Sequence, residues 1–504
     1  MSTELLKAVA DSNQWWAIGP EMILGCVALA LLVLEIVLPK DQHRIIPVFA
    51  TIATAMVLAT VIVNFDKIWD GDVLFGGLIR LSHAGQIARV FFLVSSLLVL
   101  FLASICLPRT RMPRVEFSHI VLVVTAALML LAQSNHFVLF FVALETVTIG
   151  FYILVSYFRD SALSLEAGLK YLVLGALSSA ILLFGIVLIY GAVGRVVVEG
   201  VVHTGFEYGT VFEFLRQHPD NFLAVAGALL VIGGVAFKIG AVPFQIWIPD
   251  VYQGAPTPVT AFLAVSSKAA GFAVLLVLVN QVFAPLASIL TPVLSLMAAA
   301  TILFGNLSAL TQRNDKRLMG LSGVSHAGYL LLGVIASLTV PWAVGAVWFY
   351  LFTYLLASMA AFGVMAYLGL TEDAGQELDT YHRLAKEQPF LGAILAVAVG
   401  SLAGIPPLAG FMGKLLLFVA AFQAHLYGLL GVAIAGVVLS IFYYFGWIKA
   451  AYFESPSTLG AGELARPAIA PVSWIGVTTL TALALATVLL GFYQQPLTSW
   501  LLAK

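Results

Sequence analysis

Apolar residues run through this chain in blocks too long for a soluble fold. Blocks of about twenty, the length that crosses a bilayer, recur from near Ile18 to near Phe492, with only short polar stretches between them. The pattern predicts an all-α polytopic membrane protein with about 14 transmembrane helices. They are expected at 18–38, 45–64, 90–107, 119–135, 137–157, 166–193, 221–245, 257–283, 286–311, 318–338, 341–369, 389–423, 427–450 and 470–492. The Gly-punctuated polar stretch 66–88 reads as an external hairpin. Residues 371–388, with Glu377, Asp379, His382, Arg383 and Lys386, read as a short interfacial helix.

Two spans are interrupted. The seventh carries Pro243 and Pro249 in AVPFQIWIPDVYQGAPTPV, and the twelfth carries GIPPLAG at 404–410. Prolines can be mere kinks in membrane helices. Matched interruptions in two halves also mark transporters built from repeats. The two lie five spans apart, and an odd-numbered unit must come out upside down. Two inverted five-helix repeats, spans 4–8 and 9–13 with broken helices 7 and 12, are therefore expected. The chain then reads as one membrane domain (1–504). It comprises a three-helix segment (1–118), a first repeat (119–283), a second repeat (286–450) and a C-terminal helix (451–504).

Composition sharpens this picture. Of 504 residues, 61% are hydrophobic and 10% charged, where a soluble domain has about 25% charged. No charge-rich block could form a soluble catalytic domain. The net charge of −1 argues against nucleic acid as a partner, which needs clustered Lys and Arg. Cys26 and Cys106 stand alone in separate spans and form no metal motif. Met1–Trp16 has no basic n-region before an apolar core, so no cleaved signal peptide is expected. Loops after odd-numbered spans carry Lys40, Arg44, Arg109, Arg111, Arg114, Arg159, Arg313, Lys316, Arg317, Arg383, Lys386 and Arg466. Loops after even-numbered spans carry only Lys67, Arg80, Arg89, Arg195 and Arg216. The positive-inside rule puts the first set in the cytoplasm and both termini outside.

Six ionisable groups are left at membrane depth: Glu145, Lys170, Lys238, Lys268, His326 and Lys414. Each charge at the bilayer centre costs at least about 2.5–3.5 kcal/mol, so such residues carry function by default. Plainer readings exist. Lys170 lies one turn after Glu166 and could snorkel or form an i, i+4 pair. His326 could be a packing histidine, and a structural ion pair with Glu145 could account for one lysine. One carboxylate among several lysines nevertheless suits proton transfer, because burial favours the neutral amine and a nearby carboxylate the charged one. The broken helices leave backbone groups unsatisfied beside Lys238 and Lys414 and give room for water. No Walker A motif, dinucleotide fingerprint or iron–sulfur cysteine run occurs. A haem bundle needs axial ligands such as paired histidines, and only His326 lies deep.

The run FKIGAVPFQIWIPDVYQGAPTPVTAFLAVSSKAAGF (237–272) resembles the antiporter-like, proton-pumping membrane subunits of respiratory complex I. So do ALETVTIGFYILVSY around Glu145, EAGLKYLVLGALSSA around Lys170, 305–333 around His326, and GIPPLAGFMGKLLLF around Lys414. DVYQGAP and the lysine of GFMGK mark one branch of that family. The resemblance implies fourteen helices and inverted repeats. It implies Glu145 and Lys238 as the charged pair of one half-channel, Lys268, with Lys170 as a further candidate, as central relay, and Lys414 at the second half-channel. His326 then belongs to the polar axis between them. The family often has His where Gln245 stands, so a replaceable, water-organising role is expected there. The resemblance also implies that no cofactor is bound by this chain. NADH, FMN, iron–sulfur clusters and quinone would belong to partner subunits, reached through other membrane-arm subunits and the peripheral redox arm, with this chain in the bacterial inner membrane. The rivals are an Mrp-type cation/proton antiporter, the same subunit in a ferredoxin- or plastoquinone-linked relative, and a purely structural scaffold.

Overall fold

The computed structural model describes residue 10 and residues 12–65, 71–110, 112–198, 201–369, 376–453 and 471–502. Helices form wherever the apolar blocks run, because backbone in hydrocarbon must satisfy its own hydrogen bonds. The first half holds α1 Gly19–Val37, α2 Ile46–Val63, α3 His83–Cys106, α4 Val115–Ala132, α5 Phe137–Val155 and α6 Ala162–Val193. Next come α7 Tyr208–Gln217, α8 Phe222–Ile239, α9 Ile248–Gly254 and α10 Thr257–Val282. The second half holds α11 Ala287–Ala309, α12 Asp315–Ser337, α13 Ala343–Leu368, α14 Pro389–Ala403 and α15 Ala409–Gln423. It closes with α16 Tyr427–Tyr452, α17 Trp474–Phe492 and the short α18 Gln495–Leu502. Among the described residues, thirteen helices are long and apolar enough to span, and α14 with α15 supplies the remaining crossing in two halves. The expected all-α, roughly fourteen-span architecture stands.

Burial sorts these helices. α10, α12 and α13 are enclosed along most or all of their length, whereas α1, α2, α11, α16 and α17 are buried over about a third or less. A central axis is thus wrapped by helices whose outer faces are apolar, with Leu29, Ile36, Leu177, Leu296 and Phe442 exposed. Such faces suit hydrocarbon and not water.

The two interruptions share one construction. α8 ends at Gly240 and α14 at Gly404, both in the left-handed region, at φ 75° and 85°. In each, the next N–H reaches back five residues: Ala241 donates to Ala236 O at 2.9 Å, and Ile405 donates to Gly400 O at 3.0 Å. A cis X-Pro peptide then follows, Val242–Pro243 in one and Pro406–Pro407 in the other. The matched ends support more than coincidental kinks, since a Gly-capped helix end is a termination signal.

Several expectations need correction. The seventh span stops at Ile239, short of 245. The third span begins at His83, seven residues before position 90, because Ser82 caps it by accepting from Gly85 N–H at 3.0 Å. The external hairpin is therefore confined to β1 Val73–Leu74 and β2 Ile79–Arg80, and Arg89 is not in a loop. In place of a continuous helix at 371–388, described residues form a 3₁₀ turn at Leu378–Tyr381 and one helical turn at Leu384–Glu387. A second hairpin, β3 Arg195–Val198 and β4 Val201–Thr204, and the surface helix α7 were not anticipated. Expectations placed on Lys67, Arg111, Arg466, residues 371–375 and most of Met1–Trp16 lie outside the described residues.

Candidate proton-transfer site

Lys238 lies in the last turn of α8, where a cation faces the negative end of the helix dipole. It is 5% exposed, and its Nζ donates to Thr148 Oγ1 on α5. Glu145 stands one turn before Thr148 and accepts from Ser179 Oγ of α6 at 2.5 Å. Among the described residues the two charges therefore make no direct ion pair. Each is held by a hydroxyl. Glu145 is also only partly enclosed, on a face with exposed Val142 and Ile149.

Lys268 follows a wide, π-helical turn at Leu263–Ser267 in α10, a distortion found often at functional sites. It lies roughly 16 Å from the helix start at 1.5 Å per residue, and His326 lies equally far into α12. Lys268 Nζ donates to Gly323 O of α12 at 2.5 Å and to Tyr354 OH of α13 at 3.4 Å. Gly323 leaves room for this contact, since an added Cβ would stand 2.8 Å from Lys268 Nζ and push the amine aside. One turn along α10 from Lys268, Gly271 packs on the first lysine: a methyl there would lie 3.7 Å from Lys238 Cβ.

His326 is bracketed by two tyrosines, with Nδ1 2.6 Å from Tyr350 OH and Nε2 3.1 Å from Tyr444 OH. Its ring centroid is 4.9 Å from that of Tyr354, the same tyrosine that meets Lys268. A cavity of about 10 Å³ touches His326, Tyr350, Tyr354, Ser401 and Leu402, close to what one water occupies. Lys414, on α15, donates to Leu402 O and Ala403 O, both at 2.9 Å. These are orphan carbonyls at the end of α14, which the break exposes. No carboxylate pairs with Lys268 or Lys414 among the described residues.

The structure thus buries Lys238, Lys268, His326 and Lys414, with the half-buried Glu145 one turn from the threonine that holds Lys238, and it separates Lys170 from them. Lys170 is 42% exposed and bound to Glu166 at 2.8 Å and Asp250 at 2.6 Å. The reason is length. α6 has 32 residues, about 48 Å against a hydrocarbon core of about 30 Å, so its first turns lie beyond the apolar region. Asp250 also accepts from Arg317 at 2.7 Å, which completes an ion-pair cluster on that end of the molecule. Gln245 is buried, with Oε1 lacking a partner among the described residues.

Sequence reasoning missed the uncharged members. Thr148 and Ser179 carry no sequence signal of their own. Tyr350 and Tyr354 do: an i, i+4 pair on an otherwise apolar helix shares one face. It also missed a buried ion pair, Arg89 with Glu21 at 2.7 Å, because the third span was started too late.

Comparison with known proteins agrees with this geometry. Residues 134–442 match the family described as NADH:quinone oxidoreductase/Mrp antiporter, transmembrane. The chain is 62% identical to NADH-quinone oxidoreductase subunit N 1 of Opitutus terrae, over all of both chains. It is similar to a chain of respiratory complex I from Thermus thermophilus, at 31% identity and TM-score 0.76, covering 95% of this chain and 98% of that one. A chain of the Mrp complex from Dietzia sp. shares the fold at TM-score 0.78 and 20% identity, covering 96% of this chain and 97% of that one.

Proposed function

The chain belongs to the NADH:quinone oxidoreductase/Mrp antiporter transmembrane family, and on that premise we propose that it is the proton-translocating, antiporter-like subunit N of an NADH-quinone oxidoreductase. The observation that carries this reading is the row of three buried lysines held by hydroxyls and carbonyls, with no carboxylate neutralising Lys268 or Lys414. A structural scaffold would have paired these charges or dispensed with them, given their cost in hydrocarbon.

In this reading a proton enters beside Glu145 and Lys238, passes through Lys268, Tyr354 and His326, and leaves by Lys414. Movement of Glu145 between Ser179 and Lys238 changes the proton affinity of Lys238, and in the resting arrangement each group is held by a hydroxyl in place of the other. Hydroxyls and the imidazole both accept and donate, which a relay requires. Lys170, fixed by Glu166 and Asp250, belongs to the rim of the path. The redox steps, with NADH, FMN, iron–sulfur clusters and quinone, belong to partner subunits, and this chain binds none of them. Residues 119–283 and 286–450 act as the two inverted half-channels, the chain sits in the bacterial inner membrane, and both termini face outward. The likeness to the Mrp complex is one of fold and favours no separate activity.

The test uses the assembled complex in membrane vesicles, with NADH oxidation and proton uptake followed together. Lys414→Ala and Glu145→Gln are expected to lower the protons moved per NADH. Assembled variants with unchanged stoichiometry would remove the row from the path.

A further inference from the structure

The buried pair Glu21–Arg89 lies away from the proton row, in the N-terminal helices. Arg89 is completely buried and binds Glu21 through two nitrogens, at 2.7 and 2.9 Å, and Ala17 O at 2.6 Å. Gln133 Nε2 donates to Glu21 at 3.0 Å. Around this neutral pair four buried polar atoms lack any partner among the described residues: Arg89 Nη1, Gln86 Nε2, Gln86 Oε1 and Gln133 Oε1. Each such group left unmatched is destabilising, so a partner at this place is favoured. Arg89 and Gln86, 0% and 2% exposed, line a cleft of about 280 Å³ where the ends of α1, α2 and α3 diverge.

The cleft is amphipathic. Arg89, Gln86, Asn64 and Thr60 supply polar groups, and Ile23 and Val57 form apolar walls. Of its lining, Ile23 of α1 and Thr60 of α2 are exposed, and Trp15 and Trp16 stand exposed at the head of α1, as interfacial anchors do. Arg89 lies roughly 9 Å inside the start of α3, within two turns of the helix end. Glu21 cancels the charge of Arg89, so nothing here selects a net anion. The unmet groups include donors and acceptors. An occupant must therefore both accept and donate, and must carry a chain along Ile23 and Val57.

We propose that this cleft holds one zwitterionic, ethanolamine-type phospholipid, whose ester and phosphate oxygens accept from Arg89 Nη1 and Gln86 Nε2 while its ammonium meets Gln86 Oε1. The site is built into the three-helix segment and does not depend on the proton path.

The test counts phospholipids retained by the whole complex after exhaustive washing in mild detergent, by mass spectrometry of extracted lipid. Gln86→Leu removes the polar partner and Thr60→Trp fills the mouth. Both are expected to lose one ethanolamine phospholipid per complex, whereas Leu29→Trp, on an exposed face outside the cleft, loses none. An unchanged count in the first two overturns the proposal and leaves the cleft to water. Loss of a quinone or of a glycerol-headgroup lipid in its place overturns it equally. If Gln86→Leu fails to assemble, delipidated wild-type complex is titrated instead. Its unfolding temperature is expected to rise with ethanolamine phospholipid and not with the glycerol-headgroup lipid, and an equal rise with both counts against the assignment.

Discussion

Lys238 gives its hydrogen bond to Thr148, one turn along α5 from Glu145, and not to the carboxylate itself. The threonine therefore decides where the ammonium rests when Glu145 is turned toward Ser179. Thr148→Val keeps shape and removes the acceptor, leaving a buried donor unmatched at a cost of about 1–3 kcal/mol. Proton transfer at this point is expected to slow about tenfold or more, with Thr148→Ser close to wild type. Proton uptake per NADH in vesicles checks this; equal rates for Val and Ser would assign Thr148 to packing alone.

The tyrosines around His326 differ in what they hold. Tyr350 OH lies 2.6 Å from Nδ1, while Tyr354 OH lies 3.4 Å from Lys268. Tyr350→Phe is expected to impair pumping more than Tyr354→Phe, because it strips a buried imidazole nitrogen of its partner. Stopped-flow proton uptake should rank the two in that order.

Gly404 serves the second break by conformation and by space. Its φ is +85°, and an added Cβ would fall 2.9 Å from Lys414 Cδ. Gly404→Ala should destabilise the complex by about 1–2 kcal/mol and displace Lys414, with loss of pumping. Gly191→Ala, where a Cβ meets nothing within 4 Å, is the control. Thermal unfolding and vesicle pumping together distinguish a local effect from misfolding.

Lys170 provides the contrast. It is an exposed pair partner, and such pairs add little to stability. Lys170→Met is expected to retain most pumping, whereas Lys268→Met should abolish it. Loss of pumping by both, with normal assembly, would place Lys170 inside the path.

One pH effect lies outside the spans. His136 caps α5, its Nδ1 accepting from Val138 N–H at 3.1 Å. Burial holds its pKa below the ordinary histidine value, against an opposing pull from Glu207. The folded state thus prefers neutral imidazole, and the stability this gives is full above the unfolded pKa of about 6.5. It fades as pH falls through that value towards the folded pKa. The hydrogen-exchange protection factor of Val138 is expected to drop between pH 7.5 and 5, and to become pH-independent in His136→Asn.

Much of this was legible in the chain because the bilayer imposes a single rule on backbone and charge. Pro243 and the Pro406–Pro407 pair announced both breaks, and the depth of Lys238, Lys268 and Lys414 followed from counting residues along their helices. Glu21 and Arg89 escaped, since each sits a few residues inside a helix end, where an error of one or two turns moves a residue from solvent to core. The sequence leaves Lys170 open between a path residue and an i, i+4 partner of Glu166, and the residue makes that pair. Thr148 and Ser179 could not be found at all: which hydroxyl faces a lysine depends on helix rotation, and apolar blocks with weak periodicity leave rotation unspecified.

Lys268 and Lys414 are anchored by carbonyls and hydroxyls, which orient a charge without cancelling it. Their charges are therefore felt along the row. Like charges repel over longer distances in a low-dielectric interior than in water. Loading one lysine thus discourages loading of the next, so the row behaves less like a bucket chain than like a line of mutually repelling beads, in which a push at one end is answered by a departure at the other.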